Sequence, residues 1–340
     1  MAEKLLEIRN LTSGFVTEQG IAKATDRITL SVEKGKTLCI VGESGSGKSV
    51  ASLSIMRLVD YAGGAIFEGS IGFSGKELAS MSQKEMIRIR GNRIAMIFQD
   101  PMSALNPVFS VGDQIAESLR LHRGMSRKEA WRQAVDMLRM VGIPDPELRA
   151  KQYPHELSGG MRQRVVIAMA LVCKPELLIA DEPTTALDVT VQAQILDLLQ
   201  RLQQELGMAI VLITHDMGVA AEMADRIAVM YAGKIVEEGT VGEIFDHPSH
   251  PYTIGLLKSI PGLEGARGEE LYTIPGTIPG INQLPSGCRF HPRCAKAEAK
   301  CLQVEPSLHE FRPDHQVSCW LYESGDSFCA DDKESEVKRV

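Results

Sequence analysis

The chain has 340 residues, of which 44% are hydrophobic and 24% charged. This is an ordinary globular composition, and it excludes disordered, collagen-like and low-complexity chains. Lys and Arg total 37 against 44 Asp and Glu, and the resulting net charge of −7 argues against nucleic-acid binding. No apolar run reaches the roughly 18 residues of a membrane helix. Charged side chains interrupt the N-terminal segment, so we expect no signal peptide and a cytoplasmic location.

Short β-branched runs alternate with amphipathic helical patterns up to about residue 252, which is typical of an α/β protein with a parallel sheet. Ser126 and Glu129 suggest a capping box, and Gly207 ends a later helix. A hairpin over residues 226–237 adds antiparallel strands, so the sheet is expected to be mixed. In chain order, the predicted strands span residues 37–42, 94–98, 177–180 and 209–214, and the predicted helices 52–58, 126–141, 161–171 and 191–206.

The sequence changes in character after about residue 259. Gly and Pro recur between residues 261 and 287 without helical periodicity, which predicts an irregular connector to a small cysteine-bearing module. The polar and charged residues from about 323 onward are expected to form a frayed tail. Five of the seven cysteines lie in this last part of the chain: Cys288, Cys294, Cys301, Cys319 and Cys329.

A glycine-rich segment follows the first predicted strand. It satisfies the pattern G-x-x-x-x-G-K-[ST], in which backbone amides at a helix start converge on phosphate oxygens. Lys48 would supply a charge for the β- and γ-phosphates, and the Ser49 hydroxyl would bind Mg²⁺. The alternative is an ordinary Gly-Ser loop. The predicted ATP-binding residues are Gly42, Glu43, Ser44, Gly45, Ser46, Gly47, Lys48, Ser49 and Val50.

An acidic pair, Asp181 and Glu182, directly follows the buried strand at residues 177–180. Such a pair is costly to bury unless it lies at the carboxyl edge of the sheet, where open α/β sheets bind ligands. Asp181 suits Mg²⁺ coordination, and Glu182 suits orienting the water that attacks a phosphate. A helix-capping acidic pair is the structural alternative.

A second predicted anion-binding helix start, Ser-Gly-Gly, lies 110 residues after Lys48 and 23 before Asp181. At that spacing the segment resembles the signature motif of ATP-binding cassette (ABC) proteins. The resemblance implies a P-loop NTPase fold in which the signature contacts the ATP held by a partner cassette. Its residues here are Leu157, Ser158, Gly159, Gly160 and Gln163.

Further residues match the cassette pattern in order. Gln99 resembles the Q-loop glutamine that senses the metal and the water, Asp188 the D-loop aspartate, and His215 the switch histidine near the γ-phosphate. Phe15 resembles the aromatic residue that stacks on adenine, although many cassettes have Tyr there. The alternative for His215 is a structural histidine, and the alternative for Phe15 is a core phenylalanine.

Residues 97–107, 181–190 and 250–253 are similar to dipeptide and oligopeptide importer cassettes, and so is the tail from Gly287 to Cys319. The resemblance implies an ATPase on the cytoplasmic face of the membrane, with a second cassette subunit (a paralogue is favoured), two permease subunits and an extracytoplasmic peptide-binding protein. Glutathione, nickel or another peptide-like solute are alternative cargoes. A soluble cassette ATPase of DNA repair or translation is a further alternative, disfavoured by the acidic charge and the single cassette.

The spacing C-x5-C-x6-C-x17-C of Cys288, Cys294, Cys301 and Cys319 does not itself name a metal. Four thiolates suit a [4Fe–4S] cluster or zinc, and both the wide loops and the subfamily resemblance favour the cluster. Unliganded thiols and a redox sensor remain alternatives. We expect the centre to be structural rather than catalytic, Cys329 to be a free thiol, and Cys39 and Cys173 to be core residues.

These expectations divide the chain into three parts. Residues 1–255 form the nucleotide-binding domain with a helical subdomain at about 100–172, residues 256–322 the extension with the four cysteines, and residues 323–340 the tail.

Overall fold

The structure, a computed structural model of the chain, describes residues 3–100, 104–185, 187–260 and 272–322. The expectations for the tail, for Cys329 and for the first part of the Gly/Pro-rich connector therefore lie outside the described residues. No helix within the described ranges is long and apolar enough to cross a membrane.

An antiparallel sheet is built mainly from the N-terminal part of the chain. Its strands are β1 (Lys4–Thr17), β2 (Gly20–Glu33), β4 (Gly64–Phe73) and β5 (Lys76–Glu77), in the order β2-β1-β4-β5. The register shifts along both the β1–β2 and β1–β4 pairs, which breaks the simple alternation of buried and exposed side chains. The sequence analysis did not predict this sheet.

The second sheet holds the predicted buried strands. These are β3 (Thr37–Val41), β6 (Ile94–Ile97), β7 (Leu177–Asp181) and β8 (Ala209–Thr214), joined by β9 (Arg226–Tyr231) and β10 (Lys234–Thr240). Strands β3, β7 and β8 are buried throughout, as continuous apolar runs require when both faces are covered. Two further strands, β11 (His309–Arg312) and β12 (His315–Val317), complete the order β11-β12-β10-β9-β3-β8-β7-β6. Strands β9 and β10 form the predicted hairpin, so the sheet is mixed as expected.

The helices pack on both faces of this sheet, and those from Val111 to Leu171 form a group of their own beside it. Their bounds are α1 Lys48–Ile55, α2 Gln83–Ile89, α3 Val111–Arg123, α4 Arg127–Met140, α5 Pro146–Arg149, α6 Gly159–Leu171, α7 Val189–Leu206, α8 Met217–Met223, α9 Val241–Asp246, α10 Pro251–Lys258 and α11 Ala299–Gln303, with 3₁₀ turns at Pro154–Glu156, His291–Arg293 and Trp320–Tyr322.

Three predicted helices begin earlier than expected, and one of them is α6, which begins at Gly159 rather than at Met161. The helix after the glycine-rich loop spans 48–55 rather than 52–58, because it begins directly at the end of the loop. Helix α7 begins at Val189, where the Asp188 side chain caps it, rather than at Val191. The Ser126 hydroxyl accepts the N–H of Glu129, which is one half of the predicted capping box.

The extension is part of the main sheet rather than a separate module after a connector. Its strands β11 (His309–Arg312) and β12 (His315–Val317) form a hairpin, and β12 pairs with β10. Phe290 is 3% exposed and packs edge-on against Tyr231. The apolar core of the extension is therefore shared with the cassette.

Candidate active site

Four neighbouring parallel strands end at one edge of the main sheet, in the order β3, β8, β7 and β6. Gly42 follows β3, and His215 follows β8. Asp181 ends β7 and Glu182 comes next, while Gln99 lies two residues after β6. Residues that are far apart in the sequence thus meet where α/β sheets bind ligands.

The loop after β3 has the backbone of an anion cradle. Gly42, Gly45 and Gly47 have φ angles of 159°, 84° and 105°, of which the last two lie in the left-handed region that favours glycine. A Cβ on Gly47 would collide with the Ala24 carbonyl. The Ser46 hydroxyl is buried without a hydrogen-bond partner in the described part of the chain, so the loop retains an unsatisfied polar atom.

Lys48 is 5% exposed, and its ammonium donates to the carbonyls of Gly42 at 2.6 Å and Glu43 at 3.0 Å. Burial lowers the pKa of Lys48, although the nearby carboxylates of Glu182 and Asp181 oppose this. Charge-assisted hydrogen bonds to phosphate oxygens are stronger than those to carbonyls, so a buried ammonium at this loop suits phosphate binding.

Asp181 and Ser49 provide the oxygen ligands that Mg²⁺ prefers. The Ser49 hydroxyl donates to the Asp181 carboxylate at 3.3 Å, and Asp181 is 6% exposed. Burial raises the pKa of Asp181, an effect that the hydrogen bond from Ser49 partly offsets. A divalent cation beside this pair would favour the ionised carboxylate.

The Glu182 carboxylate contacts three polar side chains. Gln99 Nε2 donates to it at 3.0 Å, the Thr185 hydroxyl donates at 2.9 Å, and His215 Nδ1 lies 3.2 Å away. Burial raises the pKa of Glu182, but the hydrogen bonds from His215 and Thr185 outweigh it, so the pKa lies below its ordinary value. Sequence reasoning missed Thr185, whose only signal was a hydroxyl three residues after the acidic pair.

A pocket of about 290 Å³ joins these groups. Its walls include Phe15, Lys48, Ser49, Gln99 and Glu182. The groups predicted to bind phosphate and to orient water therefore share one cavity with an aromatic side chain. Ser44, Gly45, Gly47 and Val50 of the predicted site also line it, together with Lys23, Ala24, Ala232, Gly233, Pro279, Ile281 and Leu284.

The predicted signature segment lies at the start of α6, and none of its residues lines this pocket. Ser158 and Gly159 are exposed, Gly160 is half-buried, and Leu157 is 3% exposed. The Ser158 hydroxyl caps the helix by accepting from Met161 N–H at 3.4 Å. This helix N-terminus is exposed and lies outside the chain's own pocket, so it is available to another molecule.

Gln163 departs from the expectation that it contacts the partner's nucleotide. Its side chain is 1% exposed and donates to the Pro183 carbonyl at 2.5 Å. Because Pro183 follows Glu182, Gln163 ties the signature helix to the acidic pair within its own chain. Asp188 accepts the N–H of Val191 at 3.0 Å as the cap of α7, and its neighbour Ala186 lies outside the described residues.

Comparison with known proteins assigns the family. The profile described as "ABC transporter" matches residues 25–185, and the profile "Oligopeptide/dipeptide transporter, C-terminal region" matches residues 236–301. A putative peptide import ATP-binding protein of Brucella melitensis is 55% identical over 327 residues, covering 93% of this chain and 97% of its own length. The oligopeptide transport ATP-binding protein AppD of Bacillus subtilis is 52% identical over 319 residues, covering 94% and 97%.

The chain belongs to the ABC transporter family. Solved cassettes agree with this assignment. A dimeric post-hydrolysis cassette bound to ADP and phosphate has a TM-score of 0.62 at 30% identity, covering 69% of this chain and 98% of its own. A Clostridium perfringens cassette, cbiO1, has a TM-score of 0.62 at 27% identity, covering 72% and 92%. This ABC chain is therefore an ATPase subunit with the P-loop NTPase fold.

The extension of this cassette contacts the phosphate loop, which the sequence did not reveal. Arg293 is paired with the Glu43 carboxylate at 2.7 Å and 3.1 Å, and only 4% of its side chain is exposed. The Tyr252 hydroxyl accepts the N–H of Glu43 at 2.9 Å. Glu43 is thus bound both by Arg293 of the extension and by Tyr252 of α10, near the end of the cassette.

The four predicted cysteine ligands, Cys288, Cys294, Cys301 and Cys319, line one small cavity of about 20 Å³ in the ABC chain's extension. Burial, followed by the charges of the other three thiols, raises the pKa of Cys319 to about 12. Over the described ranges, no group of three or more His, Cys, Asp or Glu side chains is arranged to hold a metal ion. Cys39 and Cys173 are 0% and 2% exposed, as expected of core residues.

Proposed function

We propose that this chain is the ATP-hydrolysing subunit that drives import of dipeptides and oligopeptides across the cytoplasmic membrane. One observation carries the proposal: Lys48, Ser49 and Glu182 line one pocket, and Asp181 accepts a hydrogen bond from Ser49, in a chain whose relatives, named for peptide import, match it almost from end to end. The match to these relatives includes the extension. A cassette ATPase with an unrelated function would not need this extension.

ATP binds with its phosphates on the loop at residues 42–49. Lys48 exchanges its carbonyl partners for phosphate oxygens, and the loop amides and the Ser46 hydroxyl contribute hydrogen bonds. Ser49, Asp181 and Gln99 hold Mg²⁺, which when bound neutralises charge on the phosphates. Glu182 orients the attacking water, and His215 and Gln99 hold Glu182 in place until the nucleotide arrives.

Two cassettes enclose each nucleotide. The exposed Ser158 and Gly159 of one subunit complete the phosphate site of the other, and Asp188 lies beside that interface. Support comes from the exposure of the signature helix and from the dimeric form of a similar solved cassette. We propose a paralogous cassette as the partner.

A groove between the sheet and the helical group is the site that a permease contacts. It has a volume of about 630 Å³ and a mostly apolar lining that includes Met56, Met96, Phe98 and Met169. Phe98 is 42% exposed and directly precedes Gln99. A permease segment in this groove would therefore press against the strand end that carries Gln99, which links membrane movement to the ATP site.

The remaining assembly follows from this role. Two permease subunits and an extracytoplasmic peptide-binding protein complete the transporter, and the chain lies peripherally at the cytoplasmic face. Residues 1–255 act as the nucleotide-binding domain with a helical subdomain at about 100–172, and residues 256–322 act as the extension.

Cys288, Cys294, Cys301 and Cys319 hold a [4Fe–4S] cluster. Support comes from the donor set, because four thiols lining one cavity suit thiolate ligation. When bound, the cluster cross-links the extension, which has a small apolar core.

Uptake of labelled peptides by cells tests the cargo. A strain lacking this gene should not accumulate a labelled dipeptide or tetrapeptide. The wild-type gene should restore uptake, and Glu182→Gln should not. Loss of glutathione uptake alone, or of nickel uptake alone, in the deletion strain would instead assign that compound as the cargo. Normal uptake of all four compounds in the deletion strain would remove the transport role.

Anaerobic purification tests the cysteine centre. The protein should be brown and hold about four irons and four acid-labile sulfides per chain. Cys294→Ser should bleach it, whereas Cys173→Ser, which changes a core cysteine, should not. A colourless protein with one zinc per chain would replace the cluster by zinc. If the purified protein holds no metal, and its extension resists proteases as well as that of the Cys294→Ser variant does, the four thiols are unliganded.

A further inference from the structure

The nucleotide pocket has a wall that no nucleotide-binding motif supplies. Pro279, Ile281 and Leu284 line it on the same cavity surface as Phe15 and the phosphate loop. All three belong to the segment at residues 272–287, which we call the strap. The strap thus adds three apolar side chains to a site whose phosphate end is polar.

Two arginines with largely buried side chains anchor the strap: Arg293 links it to the phosphate loop, and Arg289 anchors the chain two residues after the strap ends. Arg293 donates to the Pro275 carbonyl of the strap at 2.8 Å while pairing with Glu43 of the loop. Arg289 donates to the Ala232 carbonyl at 2.5 Å and pairs with Asp26. Because Ala232 itself lines the pocket, the strap is held against the cavity at both of its boundaries.

A nucleoside triphosphate has a charged phosphate end and an apolar base, and each suits a different part of this pocket. Its phosphates lie on the loop around Lys48, so the base and the ribose lie toward the part of the pocket where the apolar side chains are. A flat heterocycle gains free energy from apolar and aromatic surfaces on its faces. We propose that Ile281 and Leu284 of the strap, together with Phe15, form the contact surface for the base. This inference rests on the proposed ATP site.

Binding of two ligands to the full chain separates base contacts from phosphate contacts. The Kd values of ATP and of inorganic tripolyphosphate, both with Mg²⁺, are measured by calorimetry for the wild type and for Ile281→Ala/Leu284→Ala. The double variant should bind ATP about tenfold more weakly and tripolyphosphate as the wild type does. The single variant Ile281→Ser, at a position that is 38% exposed, should show a smaller loss of the same kind without a risk to folding.

The matched control is Leu302→Ala/Val304→Ala. These apolar residues also belong to the extension, are 47% and 48% exposed, and do not line the nucleotide pocket. Their replacement should change neither Kd.

Equal ATP affinity in the strap variants and the wild type would overturn the inference while leaving the ATP site in place. Tighter ATP binding by the variants would also overturn it, because the strap would then compete with the nucleotide. A wild-type chain that binds tripolyphosphate but not ATP, or neither ligand, would refute the proposed function itself.

Discussion

At the residue scale, Glu182 is the most constrained position of the site. Its φ angle is 47°, a left-handed backbone conformation that costs a non-glycine residue free energy. Its carboxylate also contacts Gln99, Thr185 and His215. Strain together with three polar side-chain contacts indicates that the position is set by its chemistry.

Lys48→Ala and Glu182→Gln should separate binding from hydrolysis. Loss of the Lys48 charge should abolish measurable ATP binding, because the phosphates lose their buried cation. Glu182→Gln keeps the shape of the side chain but cannot polarise water, so binding should persist while turnover falls at least about a hundredfold. Calorimetry and phosphate release measure the two effects.

The matched control for this pair is Glu147→Gln, whose side chain is 68% exposed and pairs with Arg139. It should hydrolyse ATP at the wild-type rate. The site assignment fails if Glu182→Gln also keeps the wild-type rate.

At the element scale, the continuous apolar strands β3, β7 and β8 could be predicted, since burial on both faces leaves a strong local pattern. Strands β1 and β2 could not, because their register shifts disrupt the alternation. The pairing of β12 with β10 depends on a contact between distant parts of the chain, which no local pattern records.

The same division applies to the site. Gly42, Asp181 and Gln99 could be identified because a motif or a family pattern places each after a strand. Arg293 gave no such signal, since a single arginine pairs with Glu43 only once the extension has folded back.

The N-terminus of α10 carries a pH-sensitive group. His250 is 1% exposed. Its ring Nδ1 accepts the backbone N–H of Tyr252, and its backbone N–H donates to the Glu237 carboxylate. Burial lowers the pKa of His250 to about 4 from the ordinary 6.5, an effect that the Glu237 charge opposes. Between pH 6.5 and pH 4, His250 is protonated in the unfolded chain but stays neutral in the folded chain. The free energy of unfolding therefore falls as the pH drops toward 4.

His250→Asn should weaken this pH dependence, because Asn can still cap the helix but does not titrate. Between pH 7.5 and pH 5 the wild type should lose about 2 kcal/mol more stability than the variant. Urea unfolding at the two pH values measures this. The exposed His155→Asn should behave as the wild type, and equal losses in wild type and His250→Asn would contradict the prediction.

Ser158→Arg should spare ATP binding by the isolated chain and stop the assembled transporter. The signature helix lies apart from the chain's own pocket, and in the proposed two-cassette arrangement its phosphate target belongs to the partner subunit. Binding by the isolated chain should stay within about twofold, while ATPase activity of the assembled transporter falls about a hundredfold or more.

Ser126→Arg removes the equivalent cap of α4 and serves as the control for folding. It should leave both properties unchanged. An equal loss of ATP binding by isolated Ser158→Arg would show that the signature acts within its own chain.

At the scale of the whole molecule, the extension and the nucleotide site are one unit. The sequence predicts a structural role for the cysteine-bearing extension, and Arg293 next to Cys294 pairs with the phosphate loop. Phe290 next to Arg289 packs against Tyr231 of the main sheet. Changes at the cysteines can therefore reach the site through two or three residues.

Arg293→Met should weaken ATP binding about fivefold, equivalent to about 1 kcal/mol, because Glu43 and the strap lose their shared partner. Arg312→Met is the control, since Arg312 also belongs to the extension but pairs with Glu243 at 3.9 Å, away from the pocket. Calorimetry with ATP and Mg²⁺ compares the two. Equal affinities would show that the extension does not support the loop.

The most direct test reconstitutes the transporter from this chain, its partner cassette, the permeases and the peptide-loaded binding protein in proteoliposomes. ATP hydrolysis and peptide accumulation are followed together. We expect peptide to accumulate in proportion to the ATP hydrolysed with the wild type, and neither process with Glu182→Gln. Peptide accumulation that continues in the Glu182→Gln transporter at the wild-type rate would contradict the claim that this chain powers import.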